Sequence, residues 1–223
     1  MKQLQCYRKR PAQRLVAVEG YPVIFITFLL SVLVWFVFGF SGFVVGLVVI
    51  FFLFFFFRNP ERAIPEGEGI AVSPADGKVI EIVECDENKY LSGKVTRVSI
   101  FMSPLNCHIN RAPIEGSVQQ VGYQTGTFAA AYLSKAMETN EHHAFVLKDT
   151  FGSDWLVVQI AGWLARRIIS YNQPGDSLMR GERFGLICFG SRVDLYCPLQ
   201  YEILVKVGDK VQSGKTVVAK RKK

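Results

Sequence analysis

The hydropathy pattern of the chain is dominated by one apolar run. Residues 22–57 contain no charged side chain. As a single helix this run would be ~54 Å long, against a hydrocarbon core of ~30 Å, so it has to turn. Gly39-Phe40-Ser41-Gly42 supplies the turn-forming residues. The two arms are then 22–40 and 43–57. The first holds 14 Leu, Ile, Phe or Val residues, which favour insertion by roughly 4 to 8 kcal/mol. The second reaches only ~22 Å if helical, so a hairpin dipping into one leaflet fits as well as two full spans. Beyond residue 70 the pattern breaks into short β-branched and aromatic stretches punctuated by Gly, Pro, Asn and Asp. These predict strands at 78–85, 94–102, 117–124, 144–148, 155–161, 183–189, 192–196 and 201–206. Good helix formers predict one helix over 129–139, with a short turn near 164–170. The expected fold is mainly β (α+β): a barrel-sandwich-like β domain with one or two short helices, preceded by an N-terminal hydrophobic helical hairpin.

Charge sharpens this division. Lys2, Arg8, Lys9, Arg10 and Arg14 precede the apolar arms, and Arg58 and Arg62 follow them. Basic residues on both sides of a neutral tip place both ends on the cytoplasmic face of the cell (inner) membrane. A secretory signal is the competing reading, but its apolar region is only ~7–15 residues long and ends in a small-residue cleavage site. The expected organisation is a basic tail (1–20), a membrane-associated helical hairpin (21–57), a double-proline linker (58–69) and a β-rich domain (70–223). The formal charge is +7. Next to a membrane segment it points to anionic headgroups, at about 1 kcal/mol per basic residue near the surface. No nucleic-acid-binding module accompanies it, so no nucleic-acid partner is expected.

The five cysteines have no C-x-x-C spacing, which argues against a disulfide framework or thiolate zinc site and fits a reducing compartment. No metal is expected: His142 and His143 are adjacent, their side chains diverge, and they read as a solvated helix end. Both ends of the β region put Asp-Gly or Gly-Asp turns before short strands, at 76–79 and 208–211. That turn grammar resembles lipoyl- and biotinyl-type folds, without a carrier lysine at a hairpin tip.

The densest chemical signal lies near the C-terminus, where Gly181, Gly185 and Gly190 crowd a β-rich stretch and Ser191 follows Gly190 directly. Strand interiors avoid such glycine density. A bulge or turn explains it; so does a bond the serine hydroxyl attacks itself. Upstream stand Ser73-Pro74-Ala75-Asp76-Gly77-Lys78 and Met102-Ser103-Pro104-Leu105-Asn106-Cys107-His108-Ile109-Asn110-Arg111-Ala112-Pro113, and Phe56-Phe57-Arg58-Asn59-Pro60 closes the apolar run. In this order, over nearly the whole chain, these motifs resemble the short, membrane-bound, pyruvoyl-dependent type of phosphatidylserine decarboxylase.

The resemblance implies a proenzyme that cuts itself between Gly190 and Ser191. Ser191 becomes a covalent pyruvoyl group, which forms a Schiff base with the substrate amine, and the two chains remain together as a heterodimer. The implied reaction is decarboxylation of phosphatidylserine in the bilayer to phosphatidylethanolamine. It also implies roles for Asp76 in self-cleavage and for His108 as an acid or base in decarboxylation. Longer members carry a second histidine where this chain has Arg111, and a guanidinium cannot act as a base. Arg111 is instead a candidate for binding a substrate carboxylate or phosphate. Arg192 is a second candidate for binding substrate and, with Asp194, for orienting the new terminus, and a strand-face ion pair explains the two equally well. Two alternatives stand: a decarboxylase of another serine phospholipid such as archaetidylserine, and a non-catalytic membrane-tethered β-barrel adaptor. Homo-oligomerisation is left open.

Overall fold

The computed structural model describes residues 14–127, 139–162, 167–188 and 190–222. The helix expected at 129–139, except Thr139, lies outside them, as do most of the basic tail and Phe189. The described chain forms two compact units that divide between Glu61 and Arg62.

In the first unit, helix α1 (Gly20–Phe56) is broken at Gly39, whose φ of 65° and ψ of −155° leave the helical region. Only one residue breaks the helix, so the second arm starts at about residue 40 and is ~25 Å long. The arms run back to back, as their smallest residues record. A Cβ on Gly46 would collide with Ser31, one on Gly42 would stand 2.8 Å from Val34, and one on Gly20 would stand 2.6 Å from Phe57. Ala17 N–H also donates to the Phe57 carbonyl at 2.8 Å, closing the open end. Small residues at such a seam let helix backbones approach, as in membrane helix pairs. The remaining surface is exposed Phe, Leu, Val and Ile. With the length and composition needed to cross a membrane, it is a membrane-associating surface.

The second unit is almost entirely strand. Its elements are β1 (Ile70–Val72), β2 (Gly77–Glu87), β3 (Gly93–Met102), β4 (Ile109–Arg111), β5 (Gly116–Gln124), β6 (His142–Asp149) and β7 (Asp154–Ile160). They continue as β8 (Ile168–Ser170), β9 (Ser177–Leu178), β10 (Arg183–Ile187), β11 (Ser191–Pro198), β12 (Tyr201–Ile203), β13 (Lys210–Val211) and β14 (Val217–Arg221). An eight-stranded antiparallel sheet has the order β13-β2-β3-β11-β7-β6-β5-β9, and two three-stranded sheets, β1-β14-β12 and β4-β10-β8, accompany it. The large sheet curls. The tip of the β2–β3 hairpin reaches β5, where Lys89 donates to Gln124 at 2.5 Å and Tyr90 lies against Gly122.

Curling gives the sheet two different faces, and strand alternation sorts residues between them. The inner, concave face holds Val95, Ala144, Val146, Leu156, Val158, Ile160 and Tyr196 beneath Leu91 of the hairpin tip. The opposite face carries Val98, Ile100, Phe145, Leu147, Trp155, Val157, Val193 and Leu195, and packs against the two small sheets as the main core. Asp149 pins one edge of that core, accepting hydrogen bonds from Trp155 at 3.0 Å and Tyr201 at 2.7 Å. The chain ends with matching turn grammar meet in space: β1 pairs with β14, and Val79 N–H donates to Asp209.

One expectation is corrected. His142 and His143 do not cap a solvated helix; they open strand β6 and are buried on it. Register against β7 decides this, because it carries both into the sheet.

Candidate active site

Ser191 is the first residue of β11, the strand gripped between β3 and β7. It lies opposite Met102, and Arg192 lies opposite both Phe101 and Ile160. The serine side chain is fully buried on the main-core face, and its hydroxyl donates to Met102 Sδ at 3.5 Å. Thioether sulfur is a weak acceptor, so this proton is lightly held. Gly190, just outside the strand, has φ +56°, and nothing lies within 4 Å of where a Cβ would stand. Glycine is needed here for its left-handed backbone, not for space. The Gly190–Ser191 bond thus joins a fixed strand to an unusual dihedral.

His108 reaches the same end of β3 by a loop. Ser103 N–H and Oγ–H both donate to Asn106 Oδ1 at 2.8 Å, folding residues 103–106 into a turn. His108 is thereby buried with Nε2 3.1 Å from the Ser103 carbonyl, one residue beyond the cross-strand partner of Ser191. A carbonyl accepts only, so Nε2 carries the proton and Nδ1 is the basic nitrogen.

Asp76 sits on the other flank of β3. Gly77 lies so close to the Phe101 carbonyl that no larger residue fits, which presses the Asp76 turn against this strand end. The Asp76 carboxylate accepts from Arg62 at 2.8 Å and from Ser213 N–H at 2.7 Å, and Ser213 Oγ–H donates to the Ile109 carbonyl. The structure therefore gathers Asp76, His108, Gly190 and Ser191 at one end of the large sheet, on three neighbouring strands and their loops.

The two arginines have different settings. Arg111, on β4, is buried and donates to the Gly181 carbonyl at 3.0 Å. Burial is the main cause holding its pKa below the usual arginine value, with nearby Arg62 and Arg183 adding to it. Arg192 points to the face opposite Ser191. There it forms a buried fork on Asp194, at 2.6 and 2.8 Å, and also donates to Ser99. Its guanidinium is committed within the sheet.

Sequence reasoning missed three fully buried polar residues at this end of the sheet: Asn110 and Gln159 near Ser191, and His143 on the next strand, β6. Gln159 Nε2–H donates to Asn110 Oδ1 at 2.8 Å, and Asn110 Nδ2 lies 3.7 Å from the same Met102 sulfur that Ser191 contacts. His143 lies directly opposite Gln159 in the sheet. Burial pushes the His143 pKa down to about 4, opposed by the Gln159 amide, so the ring is neutral at physiological pH. The signal in the sequence was period-two parity: Gln159 interrupts the apolar face of Trp155, Val157 and Ala161.

Fold and site together define a membrane-associated, mainly-β protein with a buried serine hydroxyl at the junction of a glycine and a strand. A profile of the phosphatidylserine decarboxylase family matches residues 49–219. The chain is 46% identical over 173 residues to the phosphatidylserine decarboxylase proenzyme of Syntrophus aciditrophicus, covering 78% of this chain and 81% of the relative. It is 41% identical to that of Pelagibacter ubique and 44% identical to that of Geotalea uraniireducens, each time over 91% of this chain and 95% of the relative. The chain belongs to the phosphatidylserine decarboxylase family and is an enzyme of its class, a carboxy-lyase.

Proposed function

We propose that this protein converts phosphatidylserine to phosphatidylethanolamine and carbon dioxide at the cytoplasmic face of the inner membrane, after cutting itself between Gly190 and Ser191. The observation that carries this reading is the junction itself: a buried serine paired with β3, at the start of a strand that β7 holds from Arg192 onward, preceded by a left-handed glycine.

The chain's own residues account for the cut. Ser191 Oγ attacks the Gly190 carbonyl carbon, the C–O bond forms, the C–N bond breaks, and the hydroxyl proton ends on the Ser191 nitrogen. Elimination then removes the Ser191 Cα proton to solvent, forms the Cα–Cβ double bond, breaks the ester's Oγ–Cβ bond and leaves Gly190 as a free carboxylate. Water replaces the nitrogen of the resulting dehydroalanine, which departs as ammonia. The residues fit the pyruvoyl group this would produce, because Ser191 is enclosed while Gly190 needs no side-chain space. The pyruvoyl group supplies a ketone that accepts the substrate amine and takes up the electron pair released as carbon dioxide departs.

Other residues hold and move protons or brace the site. His108 Nδ1 exchanges the proton that replaces the lost carboxyl group. Asp76 acts by bracing the Ser213 loop against β4 through its bond to Ser213 N–H. Arg111 and its neighbours Arg62 and Arg183 give this end the positive potential that suits a headgroup with carboxylate and phosphate. Arg192 and Asp194 anchor the strand that carries Ser191. After the cut, the 33-residue small chain would retain β11, held between β3 and β7, and β14, held between β1 and β12. That placement supports a heterodimer of the two chains.

Intact-mass measurement of purified protein tests the reading. Two fragments are expected in place of 25.1 kDa, the smaller beginning with a carbonyl and lacking a free α-amino group. Ser191→Ala leaves one chain and no carbon dioxide release from phosphatidylserine. Full decarboxylation by that variant would falsify the proposal, and a preference for archaetidylserine when both lipids are offered would reassign the substrate.

A further inference from the structure

Where Ser191 stands, the main-core face of the large sheet changes character. Along β11 the same parity gives Val193, Leu195 and Cys197; along β6 it gives Phe145 and Leu147; along β7 it gives Trp155 and Val157. At this end the parity selects Ser191, His143 and Gln159, with Asn110 facing them from β4, and all four are completely buried; at the far end of β6 the same parity selects Asp149, whose carboxylate is satisfied by Trp155 and Tyr201. Burying an amide without full hydrogen bonding costs about 1–3 kcal/mol. Several such groups together on one patch of a mainly apolar face point to use by the reaction.

Their orientation is directional. Gln159 donates to Asn110 Oδ1, which leaves the Asn110 Nδ2 hydrogens directed toward Met102 and the Ser191 side. There it meets a thioether sulfur at 3.7 Å, a weak acceptor. The His143 ring lies against the Gln159 side chain, whose amide opposes the effect of burial on the ring. The neutral, fully buried ring stands opposite Gln159 in the register and walls its amide in.

We propose that Asn110, oriented by Gln159 and backed by His143, is a positioning residue for self-cleavage, presenting a hydrogen-bond donor where charge develops as Ser191 attacks Gly190. This rests on the reading that the chain cuts itself at that bond. When Oγ bonds to the Gly190 carbon, the carbonyl electron pair moves onto oxygen, and preorganised donors in a dry site stabilise such charge far better than water does. The pair returns as the C–N bond breaks and the proton passes from Oγ to nitrogen. Gln159 matters because it decides which end of the Asn110 amide faces the serine. Reversal would aim an acceptor at the growing charge.

The test follows conversion of freshly made precursor to two chains by intact mass, which reads cleavage independently of decarboxylation. Asn110→Asp keeps the size and still accepts from Gln159 but removes the donor; cleavage should slow about 100-fold. Gln159→Met keeps the length but frees the Asn110 amide to rotate, and cleavage should slow about tenfold. Thermal melting reports whether each variant is folded, and Gln159→Met decides the matter if Asn110→Asp is not. Hydroxylamine, which cleaves esters but not amides, should release no extra fragment from either slowed variant, because the missing help belongs to the attack. A folded variant that cleaves at the wild-type rate, or one that accumulates an ester, overturns the proposal. Wild-type precursor that stays whole overturns instead the self-cleavage reading beneath it.

Discussion

At the scale of single residues, the buried polar groups around Ser191 set the behaviour of the site. His143 has a consequence that is separate from chemistry. Its pKa in the fold is about 4 against an ordinary 6.5. Above about pH 6.5 the ring is neutral in both folded and unfolded chains and contributes no pH dependence. Between about 6.5 and 4 the unfolded chain binds a proton that the folded chain refuses, so stability falls as pH falls, by roughly 3 kcal/mol over the window. His142, also held below its usual value chiefly by burial, works in the same direction. Urea denaturation at several pH values should therefore give a smaller acid slope for His143→Asn than for wild type. Equal slopes would place the acid sensitivity elsewhere. Both histidines escaped sequence reading because adjacency in sequence says nothing about register, and β7 alone brings His143 beside Gln159.

At the scale of elements, glycines specify how closely neighbours approach. In the apolar hairpin, Gly46 lies against Ser31 and Gly42 against Val34. Gly46→Leu should push the arms apart and destabilise the hairpin by about 1–3 kcal/mol, read as a lower melting temperature in detergent. Gly46→Ala should fall between the leucine variant and wild type. If the leucine variant melts with wild type, the seam is not a close-packed one. The turn at Gly39 was legible because an uncharged run longer than a bilayer is thick has few places to bend. Long strands were legible too, since 78–85 and 94–102 show β-branched runs bounded by turn residues. Short strands such as β1, β4 and β8, three residues each, were not. Three residues carry no periodicity, and only partners distant in the chain make them strands.

At the scale of the whole molecule, the order of strands in space differs from their order in sequence, and the consequence is mechanical. β11 is an interior strand of the large sheet, and β14 is the middle strand of its own sheet. A cut before β11 therefore leaves a small chain woven through two sheets. The two chains should co-elute in detergent on size exclusion and separate only under denaturing conditions. Elution as separate species in native buffer would contradict this topology. The same arrangement is compatible with a cut that needs no unfolding: Ser191 is paired with Met102 of β3, β7 holds the strand from Arg192 onward, and Gly190 stands outside the ladder with its unusual φ.

The amino-acid sequence alone determined the division into an apolar hairpin and a β-rich region, because charge exclusion and alternating hydropathy are local properties. It also marked Asp76, His108, Gly190 and Ser191, whose motifs lie in contiguous stretches. Tertiary structure alone decided which face each strand residue occupies, and so that Ser191 and Arg192 point apart, one toward Met102 and the other into an ion pair with Asp194. It likewise decided that Asn110 and Gln159, 49 residues apart, share a hydrogen bond beside Ser191. Strand pairing is a long-range choice, fixed by how two faces of one curled sheet bury their apolar side chains, and no local pattern contains it.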